Sequence, residues 1–395
     1  MRKALLALSA VLIASTGAGA QEVSTQEILQ KLQALEQKVQ QLEKENRQLR
    51  KLLSERGYAV SPGRSTTDRL KVGGRVLFRG TYSENEGKTI WGDPANGFTV
   101  RKARLFVSGK VNDDTKFKIM IRADRGAPVE LWDAHLTYSP SYLPFGVKMG
   151  LFKVPLSLSY LKSGTKLSLP ERPVAVNWIA PVWRDVGVAL QTKPLYGVKF
   201  TAAVINGDGW NSSKIYNQDG KYAYVFAADA KLVSNDSYGL RFRLGYEGGT
   251  DHSPKLVYTK YGAVSVKRHL IDAETELSLK DYGLTFMGGY LFDNPTDAKS
   301  STGASVFLGN AKGYYIQVDW GTFFDPKLHL VGRYSWVDPN DNVDDSYDVD
   351  YTTFGFYYLI HGWQTALRAS YTFAHERHGS GTANNLLTTE FQLLF

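Results

Sequence analysis

Lysines and arginines are concentrated in one part of the chain. Between Arg64 and Arg125 there are 14 basic and 7 acidic residues, so these 62 positions carry +7 of the chain's formal charge of +8. The planar guanidinium of arginine offers paired donors and lysine offers a compact charge, and both suit phosphate-like anions. This concentration predicts a surface that binds small anions. Nucleic acid is the alternative ligand, because it is also negatively charged.

Signals of catalysis are few. The chain has no cysteine, which excludes thiol nucleophiles, disulfide scaffolds and Cys-ligated metal sites. It also lacks G-x-S-x-G, a phosphate-binding loop and a dinucleotide fingerprint. His375–His378 does not have the spacing of a helical zinc site, and Asp338–Asp350, with six aspartates, lacks the glycine of a calcium loop. We therefore expect no enzyme activity, catalytic residue, metal or cofactor. The Asp-rich segment is interpreted as a solvated loop, with divalent-cation binding as the alternative.

The elements that must position the cations are short alternating segments. From Leu70 onward, apolar and polar residues alternate in runs separated by Gly, Asn, Asp and Pro, which is typical of strands with two unlike faces. In the first segment Val76 lies on one face and Arg75 on the other. In the second, the alternation places Arg104 on the polar face and Arg101 on the apolar one. We count sixteen such segments, within two.

The two kinds of face indicate the environment of the strands. Polar faces carry charges at strand centres, such as Lys118 with Arg122, while apolar faces are rich in aromatics. An apolar exterior with aromatic girdles around a polar interior is the pattern of a transmembrane barrel. No apolar run reaches the ~18 residues of a spanning helix, which excludes helical membrane proteins. The predicted fold class is therefore all-β: a transmembrane antiparallel β-barrel of about 16 strands over residues 70–395, with a water-filled lumen.

The residues before the barrel carry three further signals. Residues 1–20 have a basic start, an apolar core and a small-x-small end, which predicts a secretory signal peptide. Residues 21–56 follow a heptad pattern whose e and g positions pair opposite charges in a parallel bundle, for example Lys31 with Glu36. This pattern predicts a short α-helical coiled coil in the periplasm that joins identical chains, with a lone solvated helix as the alternative. Residues 57–69 are interpreted as a linker.

Six stretches within the barrel share a further feature. They are Val72–Arg75, Val100–Lys110, Trp132–Tyr138, Gly150–Ser157, Pro170–Pro173 and Arg184–Val188. Together they resemble the phosphate-selective porin O and P family. The resemblance implies a trimeric, sixteen-stranded porin whose third outer loop folds into the pore and whose lysines and arginines are ranked along the lumen. Val154 stands where the family often has an acid, and Lys162 and Lys166 lie in a stretch that the family fills mostly with polar or acidic residues.

These observations lead to a set of expected pore residues. The loop from Val154 to Pro181 should line the narrowest point, because it joins two strands yet is long and apolar. The residues expected to line the pore and bind anions are Lys71, Arg75, Arg79, Lys102, Arg104, Lys110, Lys118, Arg122, Lys162, Lys166, Arg172, Arg241 and Arg243.

The predicted function is passive, anion-selective diffusion across the outer membrane, with phosphate or polyphosphate as the substrate class. One alternative is a general porin, whose cations only keep the lumen wet opposite an acidic wall of Asp133, Asp229, Glu274, Glu276 and Asp319. Others are a structural anchor tethered to the cell wall by the coiled coil, and a barrel hydrolase. Expected partners are two further copies of the chain, outer-membrane lipid and lipopolysaccharide, and inorganic anions, with peptidoglycan as a further candidate. Export and alternating strands argue against nucleic acid.

Overall fold

The computed structural model describes residues 70–84, 96–180, 184–209, 216–217, 219–252, 257–378 and 385–395, together with eleven positions between 30 and 48. The chain divides into two units, Met1–Arg64 and Ser65–Phe395. In the first unit the eleven described positions are helical and exposed. The predicted signal peptide, the linker and most of the predicted coiled coil lie outside the described residues, so these boundaries stay predictions. None of the described helices has the length and apolarity needed to cross a membrane.

The second unit consists mainly of antiparallel strands. Their bounds are β1 (Leu70–Ser83), β2 (Gly97–Lys110), β3 (Thr115–Arg122), β4 (Glu130–Tyr138), β5 (Phe145–Lys153), β6 (Arg184–Thr192), β7 (Val198–Ile205), β8 (Ala223–Ser234), β9 (Tyr238–Asp251), β10 (Ser265–Leu279), β11 (Leu284–Asp293), β12 (Asp297–Lys299), β13 (Ser305–Val306), β14 (Ala311–Gly321), β15 (Leu328–Asp338), β16 (Val349–Trp363), β17 (Thr365–Glu376) and β18 (Leu386–Leu394). Two short helices, α1 (Leu158–Leu161) and α2 (Val174–Ile179), lie between β5 and β6. Three 3₁₀ turns occupy Asp124–Gly126, Val257–Tyr261 and Lys280–Tyr282.

The strands close into a barrel. Each strand pairs with its neighbour in the chain, and β1 pairs with both β2 and β18, which leaves no free edge. The exceptions are β12 and β13, a small hairpin that adds to the end of β10, while β11 pairs directly with β14. Without this hairpin the barrel has sixteen strands, which confirms the predicted fold class and strand number.

The connections differ at the two ends of the barrel. At one end, here called the short-turn end, they contain between 1 and 6 residues, and at the other, the long-loop end, between 7 and 30. Strand faces also differ, as the alternation predicts. On β1, Val72 is 77 % and Tyr82 61 % exposed on the outer surface, whereas Arg79 is 1 % exposed inside. Lipid can therefore cover the outside, while charges inside must be satisfied by water or by opposite charges.

The connection between β5 and β6 folds into the barrel, here called the inward loop. Its apolar side chains pack against the inner wall, so that Val154, Tyr160 and Val176 are at most 1 % exposed. Their partners include Leu270 of β10 and Leu291 of β11, and α2 contacts β11, β14 and β15. Because the loop covers this wall, open space remains on the opposite side, beside β1 to β9.

Candidate anion site in the barrel lumen

Glu274 of β10 holds the start of the inward loop. This side chain is 1 % exposed, and its carboxylate accepts hydrogen bonds from the Ser157 hydroxyl at 2.8 Å and the Ser159 backbone N–H at 2.9 Å. The Tyr315 hydroxyl of β14 donates to the same carboxylate at 2.7 Å. Glu274 therefore lies beneath the inward loop and anchors it. The general-porin alternative had placed this acid on an exposed wall.

Other wall residues hold the rest of the loop. They are Arg243, which donates to the Leu156 carbonyl at 2.6 Å, Asp319, which accepts from the Ser168 hydroxyl at 2.6 Å, and Arg368, which donates to the Thr165 carbonyl at 3.0 Å. Asp319 is 8 % exposed and, like Glu274, does not face open lumen. The loop is thus fixed at its start, its tip and its return.

Between the inward loop and the β1–β9 wall lies a chamber of about 1100 Å³. Its lining contains fourteen Lys and Arg side chains and five Asp and Glu side chains, an excess of nine positive charges, and the whole chain carries a formal charge of +8. The cations are Arg75, Arg101, Lys102, Arg104, Lys118, Arg122, Arg125, Lys148, Lys153, Arg172, Arg184, Lys199, Arg241 and Arg243. The chain's net charge is therefore concentrated on this one internal surface.

Eight of the thirteen residues predicted to line the pore lie on the chamber. They are Arg75, Lys102, Arg104, Lys118, Arg122, Arg172, Arg241 and Arg243. Seven of them belong to the alternating faces of β1, β2, β3 and β9, and Arg172 follows the Pro170–Glu171 step of the inward loop. The alternation thus located much of the basic wall, although the family resemblance was needed to suggest Arg172.

The other five predicted residues lie elsewhere. Lys71 and Lys110 are exposed near the short-turn end of β1 and β2, beyond the chamber. Arg79 points inward but is sealed between Glu171 at 2.6 Å and Glu390 at 2.5 Å. Lys162 lines a separate cavity of about 240 Å³ on the other side of the loop, near Glu276 at 3.7 Å, and Lys166 is exposed and lines neither space. These five residues therefore do not line the chamber.

The sequence and the fold can now be compared with known proteins. Residues 78–235 match the model of the family described as phosphate-selective porin O and P. This part of the chain is therefore similar to the porins of that family. This confirms the predicted resemblance.

Solved structures show the same fold as this porin at low sequence identity. A loop L8 deletion mutant of OmpT, an outer membrane protein of Vibrio cholerae, superposes with a TM-score of 0.58 at 11 % identity, over 82 % of this chain and 99 % of the other. An anion-selective porin from Comamonas acidovorans gives 0.55 at 11 %, over 82 % and 99 %. The outer membrane channel DcaP of Acinetobacter baumannii gives 0.55 at 13 %, over 85 % and 100 %. A comparison with curated protein sequences gives no match.

The family and the fold together support a coarse functional statement. The match to a porin family over residues 78–235 and the porin-like barrel support a diffusion channel of the outer membrane, and both point to a channel rather than an enzyme.

One cation enters the chamber of the porin through an irregularity of β2. Leu77 of β1 lies opposite Lys102, but the next residue, Phe78, lies opposite Val100, which leaves Arg101 in a β-bulge. A bulge turns its extra residue away from the regular alternation. Arg101 therefore contacts Glu171 of the inward loop at 3.2 Å and lines the chamber, and its predicted place on the outer face was wrong.

A second bulge brings an aromatic ring into the porin's lumen. Met120 lies opposite Asp133 and Ile121 opposite Leu131, so Trp132 is the extra residue. The ring is 5 % exposed, and the guanidinium carbons of Arg122, Arg184 and Arg104 lie 3.5, 4.1 and 4.9 Å from its centroid. Cation–π attraction helps hold three like charges around one ring. No sequence pattern marks either bulge, whereas Lys148 and Lys199 do follow the alternation of their strands.

Carboxylates neutralise part of the basic chamber. Asp133 accepts from Arg184 at 2.6 Å and Lys118 at 2.8 Å, and Asp229 pairs with Arg241 at 2.5 Å and Arg243 at 3.0 Å. Asp124 pairs with Arg104, and Glu130 with Arg122 at 3.0 Å. Asp133 and Asp229 are therefore partners within the basic wall and do not form a wall that faces it.

Charge is retained on the one acid that the inward loop supplies to the chamber. Although burial by itself raises the pKa of Glu171, the charges of Arg79, Arg101 and Lys102 outweigh it and hold the pKa well below its usual value. Glu171 thus stays ionised and ties the loop to the wall.

Arg75 and Lys102 stand apart from these pairs. Among the described residues, no carboxylate lies within 4.0 Å of either, and the Nε of Arg75 is buried without a hydrogen-bond partner. Both point at Gly164 near the tip of the inward loop, where an added Cβ would lie 3.4 Å from Lys102 Nζ and 3.9 Å from Arg75 NH1. Two cations without carboxylate partners therefore converge where the loop approaches the wall.

Proposed function

We propose that this porin passes anions, and that phosphate-like oxyanions are the favoured class. The observation that carries the proposal is the convergence of Arg75 and Lys102 on Gly164, where no carboxylate of the described residues lies within 4.0 Å of either cation. A guanidinium and an ammonium together offer several donors to the oxygens of a tetrahedral anion. The chamber around them, with its excess of nine positive charges, concentrates anions before they reach this point.

Most other cations of the chamber are paired with carboxylates, which favours a conducting channel over a site that binds anions too tightly to release them. A pore conducts when binding is strong enough for entry and weak enough for exit, which several modest sites in series provide. The pairs of Lys118 and Arg184 with Asp133, and of Arg241 and Arg243 with Asp229, weaken individual cations while leaving the wall positive. Lys148 and Lys153 of β5 also line the chamber, and no carboxylate lies within 4.0 Å of either in the described part of the chain.

Selectivity is tested with the wild-type porin in planar bilayers. The reversal potential across a KCl gradient should give a chloride permeability above that of potassium at 0.1 M salt. The preference should weaken at 1 M, because the screening length falls from about 10 Å to about 3 Å. Phosphate added to one side should then reduce the chloride current. Cation preference at low salt would refute anion selectivity, and chloride preference without any effect of phosphate would leave an anion channel and refute the phosphate class.

We also propose a homotrimer in the outer membrane. One OmpT structure with the same fold is described as a trimer form, and the charge pairing of the predicted coiled coil needs identical parallel neighbours. The apolar exterior of the barrel would contact lipid and lipopolysaccharide. The proposal also includes contact of the coiled coil with the cell wall. Chemical cross-linking of the native membrane protein tests the trimer, since three cross-linked copies are expected and a single band of one copy would refute it.

A further inference from the structure

The Asp-rich loop between β15 and β16 lies at the long-loop end and takes no part in lining the chamber. Six aspartates occur from Asp338 to Asp350. Four have partners of their own: Asp338 accepts from the Asn340 amide, Asp341 pairs with Lys312, Asp345 accepts from the Tyr347 amide, and Asp350 pairs with Arg377. The remaining two, Asp344 and Asp348, face the imidazole of His378, which follows β17.

The three side chains present their donor atoms to a common point. His378 Nε2 lies 3.8 Å from Asp344 Oδ1 and 3.8 Å from Asp348 Oδ2. Both distances are too long for a hydrogen bond. Ligand atoms of the three residues nevertheless all lie within 4.8 Å of one another. In a tetrahedral site with bonds of about 2.0 Å, ligand atoms are about 3.3 Å apart. Each distance from His378 would then close by about 0.5 Å, and the two aspartates would approach each other by at most about 1.5 Å.

Asp348 supplies an independent sign of a missing partner. The residue is only 4 % exposed, and its buried Oδ1 has no hydrogen-bond partner within the described ranges. A buried carboxylate oxygen without a donor is unfavourable. The other oxygen of the same carboxylate, Oδ2, is directed toward His378.

The backbone fixes this arrangement on the imidazole side. Asp350 pairs with His375 in the β16–β17 ladder, and two residues further along each strand the Arg377 N–H donates to the Asp348 carbonyl at 2.8 Å. His378 is the next residue in the chain. Its place beside Asp348 thus follows from the strand register, although the two residues are far apart in sequence.

We propose that Asp344, Asp348 and His378 form a binding site for a divalent transition-metal ion, with Zn²⁺ as the best-fitting class. An imidazole nitrogen suits Zn²⁺ and similar ions, whereas Mg²⁺ and Ca²⁺ prefer oxygen ligands alone. Asp344 is largely exposed and His378 is 46 % exposed on its side chain, so the site opens outward and keeps a position for water or another external ligand. It would join the β15–β16 loop to the end of β17.

The test measures Zn²⁺ binding to the full-length, detergent-purified porin by titration calorimetry. A second group, Asp208, Asp219 and His252, also has donor atoms within 4.8 Å of one another, so all variants carry His252→Ala. In this background one equivalent of Zn²⁺ should bind, and His378→Ala should abolish binding or weaken it at least tenfold. The matched control is His375→Ala, whose imidazole faces Asp350 at 3.1 Å, and its affinity should stay within twofold of the background.

Two further measurements keep the proposal open to refutation. Asp344→Asn alters an exposed ligand and should weaken Zn²⁺ binding without affecting folding, as checked by heat modifiability on gels. Mg²⁺ and Ca²⁺ should bind at least tenfold more weakly than Zn²⁺. Absence of Zn²⁺ binding up to 1 mM would overturn the proposal, as would equal binding by the background protein and His378→Ala.

Discussion

Neutralising Arg75 or Lys102 should weaken the block of chloride current by phosphate. An anion beside Gly164 would lie about 4 Å from each cation, judging from the 3.9 and 3.4 Å that separate an added Cβ from Arg75 NH1 and Lys102 Nζ. At 4 Å one unit charge attracts another by about 4 kcal/mol at an effective dielectric of about 20, and by about 1 kcal/mol in bulk water. The wet pore lies between these limits. We therefore expect Arg75→Gln or Lys102→Gln to raise the half-blocking phosphate concentration about tenfold, which corresponds to about 1.4 kcal/mol.

The chain offers matched controls for this experiment. Lys71 lies on β1 and Lys110 on β2, on the same alternating faces as Arg75 and Lys102, but both are exposed outside the chamber. Lys71→Gln and Lys110→Gln remove the same charge from the same strands and should shift the half-blocking concentration by less than twofold. Single-channel block recorded at 0.1 M KCl measures all four variants. Equal shifts in chamber and control variants would mean that overall charge, and not the Gly164 site, governs phosphate block.

Three other changes test separate parts of the structure. Arg101→Gln should lower the chloride-over-potassium permeability ratio about as much as Arg104→Gln, because the β2 bulge turns Arg101 inward. An unchanged reversal potential would mean that Arg101 lies on the outer face of the barrel. Glu274→Ala leaves the Ser157 hydroxyl, the Ser159 N–H and the Tyr315 hydroxyl without their acceptor, at a cost of about 3 kcal/mol or more. The loosened inward loop should raise conductance and current noise. The control Glu276→Ala, at a half-buried site, should change neither. Deleting residues 21–57 should lower the temperature at which the trimer dissociates, and an unchanged dissociation temperature would exclude a role of the coiled coil in assembly.

Periodicity explains how much of the barrel can be predicted from the sequence. Side chains alternate between two faces of a strand, and here one face meets lipid and the other water, so residues such as Val76 and Arg75 separate cleanly. The strand number follows, because each segment ends at turn residues. The β12–β13 hairpin, only a few residues long, is too short to produce such a signal.

The candidate site was less predictable, for local and for long-range reasons. Arg101 and Trp132 enter the lumen at bulges, and one extra residue reverses the face of a side chain without changing composition. Arg79 follows the alternation and points inward, but it is buried in ion pairs with Glu171 and Glu390, which are 92 and 311 positions away in the sequence. Alternation along one strand cannot predict such distant partners. The Asp344–His378 group is equally invisible, since its members meet only through the β16–β17 register.

The placement of the acids bears most directly on the choice between an anion channel and a general porin. A general porin of the kind considered would set exposed acids on the loop side against cations on the wall. Here Glu274 and Asp319 lie beneath the inward loop, where they accept hydrogen bonds from its hydroxyl and backbone N–H groups. Asp133 and Asp229 lie within the basic wall and only reduce its charge. Glu276, the fifth of these acids, lies near Lys162 and lines the smaller cavity on the other side of the loop. Among the described residues that line the chamber, cations thus outnumber acids by nine, and this excess favours the proposed anion channel over a general porin.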